Sequence, residues 1–453
     1  MIHKFHLNDF FIVLDVNSGA VHVCDNLIFN MLDFIKPPIL KDCPKEVISA
    51  LNDNFSNEDI ISAYNDLYEL YEQGKLFSSF DYKPFAEKIY NATLKSMCLN
   101  IAHDCNLRCE YCFAAKGDFG TGRRLMPFEV SKAAIDFLIE HSKGRHNLEV
   151  DFFGGEPLMN FEIVKKTVDY ARSIEKKYNK NFRFTITTNG ILLNDDKIDY
   201  INREMSNVVL SIDGRPEIND KLRVRANKLG CYEEIIKKYI KLLDKRLYKN
   251  YYVRGTFTKY NLDFSKDVIH LFEKGFDQIS VEPVVSDENL NFSIKEEDLP
   301  RVFDEYETLA KEIIQMKKNN HKINFFHFMV DLNDGPCAIK RLRGCGCGNE
   351  YIAVTPEGDI YPCHQFVGNS KFIMGNILDG SYNAKMKSQF AGANIFTKNK
   401  CNDCWAKFFC SGGCNANNFT YEGNILNPHK LSCEIEKKRL ECSIMINAAL
   451  SDL

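Results

Sequence analysis

The stretch CNLRCEYC, residues 105–112, begins three residues after the end of the apolar run SMCLNIA, residues 96–102. Three thiols therefore lie on a loop that comes after a predicted strand. An iron–sulfur cube or a structural zinc ion usually takes four protein ligands. This loop offers only three thiol ligands, so the position of a fourth ligand has to be explained.

Similar apolar runs recur along the chain and alternate with helical patterns. Such alternation indicates βαβ units and a parallel sheet, either open or curled into a partial barrel. In these folds the chemistry lies at the carboxyl ends of the strands. Turn-forming pairs stand at those ends, at Gly154-Gly155, Asn189-Gly190 and Asp213-Gly214. The later runs are LEVDFFG, FRFTITTNG, NVVLSIDG, YYVRGTFT and QISVEPV.

The two ends of the chain differ from this pattern. Residues 1–85 predict a hairpin and three helices, the last capped by Ser56, which together form a winged-helix-like module. A helical connector is expected over residues 291–336. Residues 337–453 are rich in Cys, Gly and Asn and lack long apolar periods. We expect this last unit to bury little and to depend on metal clusters for folding.

The composition narrows the classes of function. A net charge of -4 over 453 residues gives no reason to expect nucleic acid or an anionic membrane as a partner. No stretch is long and apolar enough for a membrane span, and the first residues lack an export signal, so a cytoplasmic location is expected. The 17 cysteines are odd in number and clustered, which indicates metal or cluster ligation instead of disulfides.

The C-x3-C-x2-C spacing of Cys105, Cys109 and Cys112, with the aromatic Tyr111 before the last thiol, resembles the radical S-adenosylmethionine (SAM) superfamily. This resemblance implies a partial (β/α)6 barrel over residues 92–290. It also implies that the three thiolates hold a [4Fe–4S] cluster and leave one iron to bind SAM. An electron supplied by an external donor would then cleave SAM and release a 5′-deoxyadenosyl radical.

The GGEP motif, residues 154–157, and the residues at the next strand ends extend the same resemblance. Glycines in a turn of this kind let the backbone approach a ligand closely, which a side chain would obstruct. Arg225 is the alternative to Arg223 as the partner of the SAM carboxylate, and a solvated basic face is the alternative for either. The residues implied to contact SAM are Tyr111, Gly154, Gly155, Glu156, Pro157, Thr188, Asn189, Ser211, Asp213 and Arg223.

The C-terminal cysteines resemble the SPASM extension of radical SAM peptide modifiers, which holds two auxiliary [4Fe–4S] clusters and would bring the total to three. Zinc bound by four thiolates is the alternative. The resemblance leaves open whether Cys345, Cys347 or both are ligands; if only one binds, a substrate thiolate could take the open iron. Cys337 is a reserve ligand. The implied ligands are Cys345, Cys347, Cys363 and Cys414 for the first auxiliary cluster, and Cys401, Cys404, Cys410 and Cys433 for the second.

The order of these parts resembles the SCIFF-peptide maturases (sactisynthase-like), which join a Cys sulfur to a carbon of another residue. Residues 1–85 are similar to PqqD-like elements, which bind a leader peptide as an added strand. We therefore expect thioether crosslinks in a ribosomally made, Cys-rich precursor peptide. His364 stands where sulfatase-maturing relatives carry an Asp base; it argues against formylglycine formation and is itself a candidate base. The alternatives are C–C crosslinking, epimerisation, and a non-catalytic, zinc-containing peptide-binding protein.

Overall fold

The computed structural model describes residues 1–87, 92–247, 250–332 and 342–451. Cys337 lies outside the described residues, so its role as a reserve ligand stays a prediction. No helix within these ranges is long and apolar enough to cross a membrane.

The N-terminal module consists of a three-stranded antiparallel sheet with three helices on one face. The predicted hairpin is present as β2 and β3, and Ser56 caps the third helix by accepting a hydrogen bond from the amide of Asp59. The sequence pattern did not predict β1, because three of its six residues are His or Lys and hide its alternation. The elements are β1 (Ile2–Leu7), β2 (Phe10–Asp15), β3 (Val21–Cys24), α1 (Asn26–Met31), α2 (Lys45–Leu51) and α3 (Asn57–Glu72).

The second sheet confirms the predicted parallel α/β fold. Its six long strands are those predicted from the apolar runs, they lie in chain order, and each is parallel to the next. A short strand, β11, extends one end of the sheet. The strands are β4 (Ser96–His103), β5 (Arg124–Leu125), β6 (Asn147–Gly154), β7 (Asn181–Thr188), β8 (Asn207–Ser211), β9 (Asn250–Phe257), β10 (Gln278–Pro283) and β11 (Asn324–Phe325).

Helices connect these strands and bury their apolar faces against the sheet. The helix between β4 and β6 buries Ala134, Ile135 and Leu138, which recur at helical spacing. The predicted connector helix is present as α11. The helices are α4 (Lys83–Glu87), α5 (Phe128–His141), α6 (Phe161–Tyr178), α7 (Asp195–Glu204), α8 (Pro216–Leu222), α9 (Tyr232–Asp244), α10 (Ser265–Glu273) and α11 (Leu299–Lys318).

The C-terminal unit is joined to the same sheet. Its first strand, β12, pairs in parallel with β4, and three further strands follow in antiparallel order. The thiols on either side of β12 are thereby placed next to the loop that follows β4. The elements are β12 (Tyr351–Val354), β13 (Asp359–Tyr361), β14 (Gly375–Asn376), β15 (Ser381–Tyr382), α12 (Ala384–Gly392), α13 (Lys407–Cys410), α14 (Asn415–Glu422) and α15 (Lys430–Leu450).

The expectation that the C-terminal unit buries little is wrong. Ile352 and Val354 of β12 are fully buried, as are Ile444 and Met445 of α15. These side chains join the core of the parallel sheet instead of forming a core of their own. The sequence hides this because a strand of four residues and a helix buried on several sides show no long amphipathic period.

Candidate active site

The predicted three-cysteine loop leaves β4 at the carboxyl edge of the sheet. Cys105 accepts hydrogen bonds at its sulfur from the amide of Leu107 at 3.4 Å and from Asn189 Nδ2 at 3.5 Å. Burial raises the pKa of Cys105 and Cys109 to about 12, so both thiols keep their protons at neutral pH without a ligand. A bound metal cluster would supply the positive charge that removes those protons, and donors to sulfur are typical of cluster ligands.

Three glycines allow the backbone of neighbouring loops to pack against this loop. A Cβ on Gly155 would lie 2.1 Å from the carbonyl oxygen of Asp104, and a Cβ on Gly154 would lie 2.3 Å from that of Ala102. Gly117, which the sequence analysis missed, has a φ of +107° and would place a Cβ 2.5 Å from Cys105 Cβ. The Gly pair is therefore required by protein packing, and its contact with SAM stays a prediction.

Glu156 ties the GGEP turn to the next strand end. Its carboxylate accepts hydrogen bonds from Thr188 Oγ1 at 2.7 Å, from the amide of Asn189 at 2.8 Å and from the amide of Leu158 at 3.0 Å. Burial raises the pKa of this carboxyl to about 7. These three contacts give Glu156 a structural role. Pro157 begins the short turn that follows.

A buried polar group lies beside the thiols. Tyr111 donates a hydrogen bond to Asp213 Oδ2 at 2.6 Å and accepts one from Arg223 Nη1 at 2.9 Å. Arg223 is 7% exposed, and its Nε is buried without a hydrogen-bond partner. Arg225 instead pairs with Glu234 at the surface. Of the two arginines, Arg223 is the one that faces the thiol loop.

This arrangement fits a [4Fe–4S] cluster with bound SAM. Three thiols face one another, donors point at sulfur, and a buried guanidinium with an unpaired Nε lies within electrostatic reach of Cys109. Ser211 ends β8 nearby, and its carbonyl accepts a hydrogen bond from Tyr239 at 3.0 Å. Cys105, Cys109 and Cys112 would hold the cluster, and Arg223 offers a charge for the SAM carboxylate.

The first set of C-terminal thiols lies beside this loop. Cys347 hydrogen-bonds with both Cys345 and Cys363, and Cys414 is within electrostatic reach of those two. The hydrogen bond from Cys347 lowers the pKa of Cys345 to about 6, while burial raises the pKa of Cys414 to about 11. The structure thus brings together all four residues of the predicted first auxiliary site. Their role as ligands stays a prediction.

The second set of C-terminal thiols also comes together. Cys433 at the start of α15 is within electrostatic reach of Cys401 and Cys404, and Cys410 is within reach of Cys401 and Cys433. Burial raises the pKa of Cys410 to about 12. Among the described residues, no three Cys, His, Asp or Glu side chains converge closely enough to hold a single metal ion.

The parallel strands curve around a cavity of about 1020 Å³. Most of its lining was not predicted from the sequence, although alternate residues of β6 and β9 point into it, among them Asp151 and Arg254. Burial raises the pKa of Asp151 to about 7. His364 also lines the cavity, 3.3 Å from the Tyr351 hydroxyl, and burial lowers its pKa to about 4.

An aromatic trio lies between the two neighbouring thiol sets. Phe113 follows Cys112, His364 follows Cys363, and their ring centroids are 5.5 Å apart. Phe153 packs 4.9 Å from the His364 ring and lines the cavity with it. The loop after β4 and the first C-terminal set therefore meet through this trio, and two of its members, Phe153 and His364, line the cavity.

The comparisons with known proteins agree with this geometry. Residues 99–261 match the radical SAM superfamily, and residues 345–405 match SPASM, an iron–sulfur cluster-binding domain. The chain thus contains a radical SAM domain. Its C-terminal unit is an SPASM domain, so the chain has the radical SAM/SPASM architecture.

Two curated relatives cover much of the chain. The cysteine-type anaerobic sulfatase-maturating enzyme of Clostridium novyi (strain NT) is 25% identical over 361 residues, which is 75% of this chain and 92% of the relative. The antilisterial bacteriocin subtilosin biosynthesis protein AlbA of Bacillus subtilis (strain 168) is 24% identical over 297 residues, which is 64% of this chain and 58% of AlbA.

Solved structures share the fold. The structure described as native anSMEcpe with bound AdoMet has a TM-score of 0.66 and 20% identity, with 80% of this chain and 100% of that chain covered. Streptococcus suis SuiB bound to precursor peptide SuiA has a TM-score of 0.54 and 16% identity, with 95% of this chain and 98% of that chain covered.

Proposed function

We propose that this chain forms thioether crosslinks between Cys sulfur and a carbon of another residue in a ribosomally made, Cys-rich precursor peptide. The observation that carries the proposal is that the thiol loop and the first C-terminal thiol set meet through an aromatic trio, Phe113, Phe153 and His364, of which the last two line one large cavity. The relatives named above add support, because AlbA takes part in subtilosin biosynthesis and SuiB was crystallised with a precursor peptide.

The residues around the thiol loop and the C-terminal thiols would have separate roles in such a reaction. When bound, SAM and its cluster supply the radical that takes a hydrogen atom from the acceptor carbon. Arg223, Asp213 and Tyr111 would orient SAM beside the thiol loop. Formation of the S–C bond also releases the thiol proton and one electron. The clustered C-terminal thiols would hold the electron acceptor, which we take to be two auxiliary [4Fe–4S] clusters.

The N-terminal module supplies the proposed docking site for the leader peptide. Among the described strands, β3 pairs with β2 alone, so its outer edge offers unpaired backbone groups. Val23 of β3 is 53% exposed and would lie beside the side chains of an added strand. Docking there would leave the Cys-rich part of the precursor to reach the cavity.

Formylglycine formation is the second candidate, because the Clostridium novyi relative matches 75% of the chain. His364 argues against it, since a buried imidazole with a pKa of about 4 is a weak base at neutral pH. C–C crosslinking and epimerisation use the same radical step, but unlike thioether formation they leave the thiols of the precursor free.

Mass spectrometry of a Cys-rich precursor, incubated with the reconstituted chain, SAM and dithionite, separates these reactions. A thioether makes the product lighter by two hydrogen atoms per bridge and removes one thiol from alkylation by iodoacetamide. Formylglycine formation from Cys removes sulfur, C–C crosslinking leaves every thiol reactive, and epimerisation leaves the mass unchanged. Production of 5′-deoxyadenosine with an unchanged precursor mass would contradict thioether formation.

A further inference from the structure

The only tryptophan of the chain lies where the N-terminal module meets the second set of C-terminal thiols. Trp405 follows Cys404 directly. The ring of His3, on β1, stacks on the indole with centroids 3.7 Å apart and an interplanar angle of 3°. His3 Nε2 also hydrogen-bonds with Glu441 of α15 at 3.0 Å. The loop of the second thiol set is thus in direct contact with the first strand of the chain.

A second contact lies beside the first. Val16, just after β2, is fully buried in an apolar cluster with Cys401 and Phe408. Tyr82 packs edge-on against Phe408 with ring centroids 4.5 Å apart, and its hydroxyl donates to the carbonyl of Asn17 at 2.7 Å. Residues from both ends of the N-terminal module therefore cover this thiol set.

We propose that the N-terminal module forms one wall of the second auxiliary cluster's site, with His3 and Trp405 as the positioning residues that keep water from it. The apolar shell around a cluster controls solvent access and thereby its reduction potential. The N-terminal residues of this wall, His3, Val16 and Tyr82, are more than 300 positions from the thiols in sequence.

The proposal deepens the proposed function, because the same small sheet carries the leader site at its opposite edge. The sheet has only β2 between β1, which touches Trp405, and β3, where the leader would add. A strand added to β3 extends a sheet whose other edge contacts the cluster site. Leader docking would therefore change the environment of Trp405.

The test compares His3→Ala with His6→Ala in the reconstituted full-length chain. His6 lies on the same strand but is exposed and stacks on Phe11 instead, so it is a matched control. We expect His3→Ala to shift the reduction potential of one cluster in an EPR-monitored titration and to move Trp405 emission to longer wavelength. His6→Ala should change neither. Unchanged potentials and emission in His3→Ala would overturn the proposal.

Two additions keep the test decisive. His3→Gln retains a hydrogen-bond donor for Glu441 and removes only the stacked ring, so it gives the same shifts if His3→Ala fails to incorporate iron. A dye-labelled leader segment of the precursor, followed by anisotropy, should bind and change Trp405 emission in the wild type. Binding without any emission change would overturn the coupling while leaving leader docking intact. Absence of binding would refute leader docking. The His3 variants alone would then test whether the N-terminal module forms a wall of the second auxiliary cluster's site.

Discussion

Replacing Gly155 with Ala tests whether backbone packing sets the position of the thiol loop. The added Cβ would lie 2.1 Å from Asp104 O and 2.7 Å from Gly117 O, whereas Cβ contacts under 3.0 Å are essentially never seen. The two loops must therefore separate by about 0.9 Å. Both obstructing atoms belong to backbone, so no side chain can move aside. Overpacking of this kind costs about 1–3 kcal/mol of folding free energy.

The effect on chemistry should exceed the effect on stability. Misplacing reacting groups by about 1 Å costs about 10²-fold in rate. We expect Gly155→Ala to lower the rate of 5′-deoxyadenosine formation by that factor in the reconstituted chain with SAM and dithionite. Gly144→Ala is the matched control, because a Cβ there meets nothing within 4 Å. A Gly155→Ala variant with wild-type rate and iron content would refute the packing argument.

Three further predictions concern a buried arginine, a buried carboxyl group and two thiols of the first C-terminal set. Arg223→Met leaves its buried carboxylate partner uncompensated and should lower the free energy of unfolding by about 3–5 kcal/mol. Arg225→Met breaks a surface ion pair and should lower it by only about 0–1 kcal/mol. Urea unfolding and SAM binding of the two variants check this difference. Burial raises the pKa of Asp151 to about 7, so the folded chain holds this proton more tightly than the unfolded chain. Its contribution to stability is present below about pH 4 and falls as the pH rises to about 7, and Asp151→Asn should flatten urea-unfolding curves measured across that window. Cys347→Ala should lose about four irons per chain, because the buried Cys347 thiol contacts two other thiols. Cys345→Ala should retain these irons, because Cys345 is exposed and water can take its place. The iron content of the two reconstituted variants checks both expectations.

The sequence predicts the chemistry-bearing loops well because their signals are local. Three thiols in eight residues and a Gly pair at a strand end define both the ligands and the turn that packs on them. The six long strands were predicted for the same reason, since each is a short apolar run bounded by turn residues.

Contacts between distant residues could not be predicted in this way. His3 and Glu441 are 438 positions apart, and nothing near either residue indicates the other. The cavity lining was missed because its residues, such as Asp151 and Arg254, are spread over several strands, and their common face emerges only when the sheet curves. The burial of β12 was missed because its partner strand, β4, belongs to another part of the chain.

The central claim is that a hydrogen atom leaves a carbon of the precursor as a Cys sulfur bonds to it. A Cys-rich precursor deuterated at all carbon-bound positions tests this directly when it is incubated with the reconstituted chain, SAM and dithionite. The account predicts deuterium in the 5′-deoxyadenosine, in proportion to the number of thioether bridges found by tandem mass spectrometry. Deuterium-free 5′-deoxyadenosine beside a precursor that keeps every thiol would contradict it.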